Sequence, residues 1–143
     1  VAPDGVWVVE AISPVSRTPF AKWKKRGRQG RFTVLRPRLE ADQRAAAVEV
    51  ARRELGKPYD RRYAWDDERV YCSELVVKAF ERAAGVSYGR KVRLEQLALG
   101  AFEKALALKL GVPLSQEVVP PGSLAADPRL DLVFSDVEQE PQP

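Results

Sequence analysis

The chain of 143 residues contains no histidine, no methionine and a single cysteine. The missing histidine removes imidazole, the usual general base and a common metal ligand, from anything these residues do alone. One cysteine closes no internal disulfide, which leaves the redox compartment open. No apolar run approaches the roughly 18–20 residues of a membrane-spanning helix. With Val1 at the start and no methionine anywhere, the sequence is expected to be a processed or trimmed product. On that expectation a signal peptide or further domain would precede Val1.

What is present is the composition of one globular domain. Hydrophobic residues make up 45% and charged residues 31%, and the length suits a single core. The net charge of +4 is unevenly spread. Lys22, Lys24, Lys25, Arg26, Arg28 and Arg31 crowd one stretch with Trp23 and Phe32 interleaved, and Arg36 and Arg38 follow. The pattern permits an anionic partner, although a solvated basic face is the commoner meaning. No nucleic-acid module accompanies it, so no nucleic-acid partner is expected. Residues 136–143 are acidic and proline-containing without apolar periodicity, and read as a disordered tail on a domain spanning 1–135.

Periodicity sketches the elements. Val6 to Ile12 reads as a strand after Asp4-Gly5, ended by Ser13-Pro14. Pro19 to Trp23 reads as a short helix closed by Gly27, and Arg31 to Arg36 as a second strand. Helices are predicted over Glu40 to Leu55, Cys72 to Ala84 and Leu94 to Leu110, with Gly100 a weak point in the last. Val118-Val119-Pro120-Pro121 reads as a rigid extended turn, and Leu130 to Phe134 as a final strand. Strands and helices in that order define an α+β domain, not alternating βαβ units.

Cys72 stands where an irregular aromatic loop gives way to an apolar helix. Unpaired N–H groups and the positive end of the helix dipole favour the thiolate there. Leu75 and Val76, three and four residues on, equally suit a packed, inert thiol. The preceding loop carries Tyr59, Tyr63, Trp65 and Tyr71 beside Asp60, Asp66, Asp67 and Glu68. Polar-tipped aromatics around a helix start suit a shaped site. Asp66 and Asp67 lack further donors at ligand spacing, so neither a metal nor a cofactor is expected.

Gly56-Lys57-Pro58-Tyr59-Asp60, Trp65-Asp66-Asp67 and Tyr71-Cys72-Ser73-Glu74-Leu75-Val76 together resemble the YiiX/YebB-like family of circularly permuted NlpC-type cysteine hydrolases. The resemblance extends upstream through Val9 to Val15 and Thr18-Pro19-Phe20. Downstream it runs from Val118 to Leu124, so nearly the whole chain is covered. It implies a permuted papain-like α+β fold, an antiparallel sheet packed against helices, and a thioester acyl-enzyme. Cys72 matches the nucleophile and Glu10 the polar group that orients the catalytic imidazole. Tyr59 matches an oxyanion hydrogen-bond donor beside the Cys72 backbone N–H.

Each assignment has a plainer counterpart: a strand-end carboxylate for Glu10 and ordinary packing for Tyr59. Tyr71 and Trp65 would line the substrate pocket. Glu74 would bind a substrate amine or, preferably, pair with Lys78 four residues on. The family's histidine lies on a strand before the segment matching Val1, so the missing base is expected upstream and this chain alone is expected to be inactive. The implied partner is a peptide or amide substrate, peptidoglycan or lipid-linked compounds among them, in the bacterial envelope. The alternative is a non-catalytic domain of the same fold that binds a ligand or an anionic surface. Substrate identity and oligomeric state do not follow from the residues.

Overall fold

The computed structural model describes residues 5–137. Among the described residues the strands form three antiparallel two-stranded ribbons, interspersed along the chain with helices. Strand β1 (Trp7–Glu10) turns through a cis Ser13–Pro14 bond into β2 (Ser16–Pro19), with Val8 opposite Thr18 and Glu10 opposite Ser16. Helix α1 (Phe20–Lys24) follows directly. Strand β3 (Thr33–Pro37) pairs with β6 (Leu130–Ser135), with a register shift between Val34 and Leu35. Short strands β4 (Val92–Arg93) and β5 (Glu117–Val118) form the third ribbon.

Helices α2 (Ala41–Arg53) and α3 (Cys72–Ala84) pack on each other. The predicted boundaries of α3 coincide with those observed. It ends at Gly85, whose φ of +68° is the left-handed cap that a residue with a Cβ adopts only with strain. At its start the Glu74 carboxylate accepts the Tyr71 backbone N–H at 3.1 Å, which satisfies an otherwise unpaired donor.

Three expectations need correction. The helix predicted over Leu94 to Leu110 is divided. Leu94–Gln96 is a 3-10 turn, and α4 begins only at Ala101 (Ala101–Lys109) with Gly100 as its N-cap. Leu94 is drawn instead into a small core with Val112 and Val118, and that burial outweighs helical continuity. Pro19, read as the first position of the short helix, instead ends strand β2 (Ser16–Pro19), which its ladder to β1 holds, and the helix begins at Phe20. The extended turn around Pro120 leads into α5 (Pro121–Ala125), with proline at the first helical position.

Pairing of the last strand also continues beyond Ser135. The Asp136 N–H donates to Phe32 O at 3.3 Å, and its carboxylate accepts the Phe32 N–H. The rest of the predicted tail, residues 138–143, and the Asp4 turn signal lie outside the described residues.

The main core joins β1, α3 and the loop between α2 and α3: Ala11, Val15, Val70 and Leu75, with Val9, Ala51 and Tyr59 packed against them. Burying such side chains contributes about 1.5–3 kcal/mol each. The core therefore fixes the start of α3 relative to the loop that carries the aromatic residues.

Candidate active site

Tyr59 and Cys72, thirteen residues apart, meet because the loop between α2 and α3 folds back on itself. Tyr59 forms a parallel bridge with Val70. Asp60 N–H donates to Val70 O at 3.3 Å, and Val70 N–H to Pro58 O at 3.1 Å. The buried Asp60 carboxylate stiffens the turn beyond by accepting the N–H groups of Arg62 at 2.9 Å and Ala64 at 2.6 Å. Val70 is buried two residues before Cys72. Bridge and core together place the Tyr59 ring beside the helix start.

Cys72 is exposed at the first position of α3. The apolar packing that its spacing to Leu75 and Val76 permitted is not what the structure shows. The Tyr59 hydroxyl donates to Sγ at 3.9 Å, a long contact suited to the large, polarisable sulfur. Burial, and then the nearby sulfur, push the Tyr59 hydroxyl up to about 12. Tyr59 is therefore a neutral donor at any physiological pH. Burial raises the Tyr63 hydroxyl as well, and the Cys72 sulfur adds to the effect.

The helix start is clamped from its other side. Tyr71 Oη accepts the Val119 N–H at 3.1 Å, and Ser73 Oγ donates to Val119 O at 2.5 Å. The residues flanking Cys72 thus hold both backbone groups of one residue, with all three buried. The Tyr71 ring meets Tyr63 edge-on at 5.1 Å and Trp65 at 6.0 Å. Tyr63 and Trp65 adopt positive φ values of 54° and 58°, strained backbone that the packing around Tyr71 sustains.

The other expected site residues fall in different surroundings. Glu74 is fully buried and pairs with Lys78 at 2.8 Å, the role preferred over substrate contact. Burial nevertheless raises its carboxyl above the ordinary range, against the pull of Lys78. Lys78 also reaches the Asp66 carbonyl and, at 3.2 Å, the Asp67 carboxylate. Tyr71 is buried under the site, with its hydroxyl committed to Val119. Trp65 is half-buried, with Lys91 Nζ 3.9 Å from its ring centroid and Lys78 Nζ on its other approach at 5.4 Å. Glu10 pairs with Arg26 and lines a hollow with Trp23, Lys24, Arg31 and Phe32.

Sequence reasoning missed Ser73 and Val119 as partners of the helix start. It named Tyr63 only as part of an aromatic loop. The closeness of Ser73 to Cys72 was a signal; the part played by Val119 depends on a contact across 46 residues.

The site is thus an exposed thiol at the first turn of a helix, with a neutral tyrosine on one side and a rigid clamp on the other. The chain belongs to the permuted papain-like amidase family (YaeF/YiiX, C92), which it matches over residues 2–134.

Its relatives include YiiX of Escherichia coli strain K12, an uncharacterized protein 35% identical over 133 residues. That match covers 89% of this chain and 66% of YiiX, just under two thirds of the relative's length. A crystal structure of YiiX from Escherichia coli O157:H7, described as a metalloprotein, is 34% identical with a TM-score of 0.81. The likeness covers 91% of this chain and 76% of that one. The expected permuted papain-like α+β fold is therefore the fold of this chain.

Proposed function

We propose that the complete protein is a cysteine amidase or peptidase in which Cys72 is the nucleophile. The observation that carries the reading is the exposed Cys72 sulfur at the start of α3, 3.9 Å from the neutral Tyr59 hydroxyl. The thiolate would attack the carbonyl carbon of an amide, giving a tetrahedral oxyanion. The Cys72 N–H, at the start of α3, and the Tyr59 hydroxyl, which reaches the sulfur, are the two donors available to that oxygen. Collapse breaks the C–N bond. The amine leaves with a proton from the conjugate acid of the base, and water then hydrolyses the thioester to a carboxylate.

The sequence contains no histidine, so the base in this reading belongs to a segment outside it. Glu10 is the carboxylate offered to orient such an imidazole, which would require it to exchange or share its contact with Arg26. Without that base, residues 1–143 would not turn over substrate. The envelope location and the cell-wall peptide or lipid-linked substrates suggested by the resemblance belong to the same proposal. The relative described as a metalloprotein raises a metal for this chain too. Among the described residues no three His, Cys, Asp or Glu side chains converge. They offer no donor set that fits a metal.

The test is the rate of iodoacetamide alkylation of the single thiol, folded and in urea. A nucleophilic thiol exposed at the helix start predicts faster labelling in the folded chain, abolished in Cys72→Ala. Labelling slower in the folded chain than in the unfolded one would assign Cys72 to packing.

A further inference from the structure

Apart from Arg26, which holds Glu10, the cations between Lys22 and Arg31 have no part in the Cys72 reading, and most of them have no counter-charge among the described residues. Arg26 pairs with Glu10, and Lys24 lies 4.9 Å from the centroid of Phe32. Lys22, Lys25, Arg28 and Arg31 are exposed and have no ionic partner among the described residues. Unsatisfied charges held this close repel one another, and an anionic partner relieves that repulsion.

The ground beneath them is aromatic. Phe20 stacks on Trp23 at 5.8 Å, Phe32 meets Phe20 edge-on at 5.2 Å, and Phe134 stacks on Phe32 at 4.8 Å. Phe134 keeps 45% of its surface exposed and the neighbouring Val34 keeps 37%. Cations around an exposed apolar and aromatic edge fit a bilayer interface, where side-chain stems and rings enter the headgroup layer and the charges meet lipid phosphates. Between Glu10, Trp23, Lys24, Arg26, Arg31 and Phe32 lies a hollow of about 340 Å³; Glu10 neutralises Arg26 there, which leaves Lys24 and Arg31 as the cations at its wall.

We propose that the basic-aromatic face formed by Lys22–Arg31 and Phe134 docks the protein on an anionic lipid surface. A nucleic acid would satisfy the same charges. However, the rings stack chiefly on one another, and Val34 offers a base nothing to stack against. The inference is independent of whether Cys72 reacts.

The test is co-flotation of the protein with phosphatidylcholine vesicles, with and without phosphatidylglycerol, at low and high salt. Binding is expected only with phosphatidylglycerol and is lost as salt rises. Replacing Lys22, Lys25 and Arg28 together by Glu should weaken it by about tenfold or more. The milder Lys22→Gln/Lys25→Gln/Arg28→Gln variant, expected to weaken it in the same direction, replaces the reversal if that variant fails to fold. An Arg53→Glu/Arg61→Glu/Arg90→Glu variant, equal in net charge change but placed elsewhere, should lose much less. Equal loss in both triple-Glu variants would reduce the effect to overall charge and overturn the proposal. So would binding to a DNA duplex without binding to the vesicles, or vesicle binding indifferent to phosphatidylglycerol.

Discussion

The Tyr59 hydroxyl lies 3.9 Å from the Cys72 sulfur and donates to it. On the proposed mechanism the Tyr59 hydroxyl and the Cys72 N–H are the two donors to the developing oxyanion. Tyr59→Phe removes one of them and keeps the ring's packing against Val70 and Leu75. On the proposed mechanism, with the base supplied, it should lower kcat by about 10- to 100-fold with little change in KM. Steady-state kinetics on any hydrolysed acyl amide checks this. A change confined to KM would make Tyr59 a pocket wall only.

Val119 ties the helix start to the far end of the chain. Tyr71→Phe leaves its buried N–H without an acceptor and should cost about 1–3 kcal/mol, read from the urea midpoint. Ser73→Ala leaves the Val119 carbonyl unpaired, with a cost of similar size. The two changes share one residue, so the double variant should lose less than the sum of the singles.

Lys78 neutralises a carboxylate with no access to water. Lys78→Met would leave Glu74 buried and uncompensated, with an expected loss of about 3–5 kcal/mol at neutral pH. Burial already raises the Glu74 carboxyl, and without Lys78 it rises further. Protonation then removes the stranded charge, so the penalty should shrink as the pH is lowered towards 5. Urea unfolding at the two pH values measures the difference. A penalty independent of pH would contradict the account.

Asp127 accepts hydrogen bonds from Arg129 Nη2 at 2.6 Å and Nε at 2.9 Å, and from the N–H of Gly89 at 2.9 Å. The guanidinium contact chiefly holds its carboxyl well below the usual range. A depressed folded-state value stabilises the protein above the unfolded value of about 4. That stabilisation disappears as the pH falls from there towards the folded value. Asp127→Asn should therefore lower Tm at neutral pH and flatten its decline in acid. Parallel acid titrations of Tm, wild type against variant, test this.

How far the sequence carried the account depends on the range of each contact. Helix α3 was legible to the residue because its cues are local: a loop ending at Tyr71, an apolar run, and Gly85 as its cap. The Tyr59–Cys72 pairing came only through the family resemblance, since nothing in a thirteen-residue spacing specifies the Tyr59–Val70 bridge. Strand β2 was invisible because Ser16 and Arg17 lack β-branched character, and its ladder to β1 decides the conformation. The predicted helix from Leu94 was misread because leucines at helical spacing also suit a packed loop, and Leu94 and Leu97 serve the core around Val112. The partner of Glu10 was equally out of reach, being set by where the basic stretch returns to β1.

The claim that Cys72 is the nucleophile is tested most directly by acyl trapping. The chain is incubated with a p-nitrophenyl acyl ester, which needs no leaving-group protonation, and the adduct is mapped by mass spectrometry. The account predicts one acyl group on Cys72, released by hydroxylamine as a thioester and absent in Cys72→Ala. Acylation that persists in Cys72→Ala, or that spares Cys72 while modifying lysines, would contradict it.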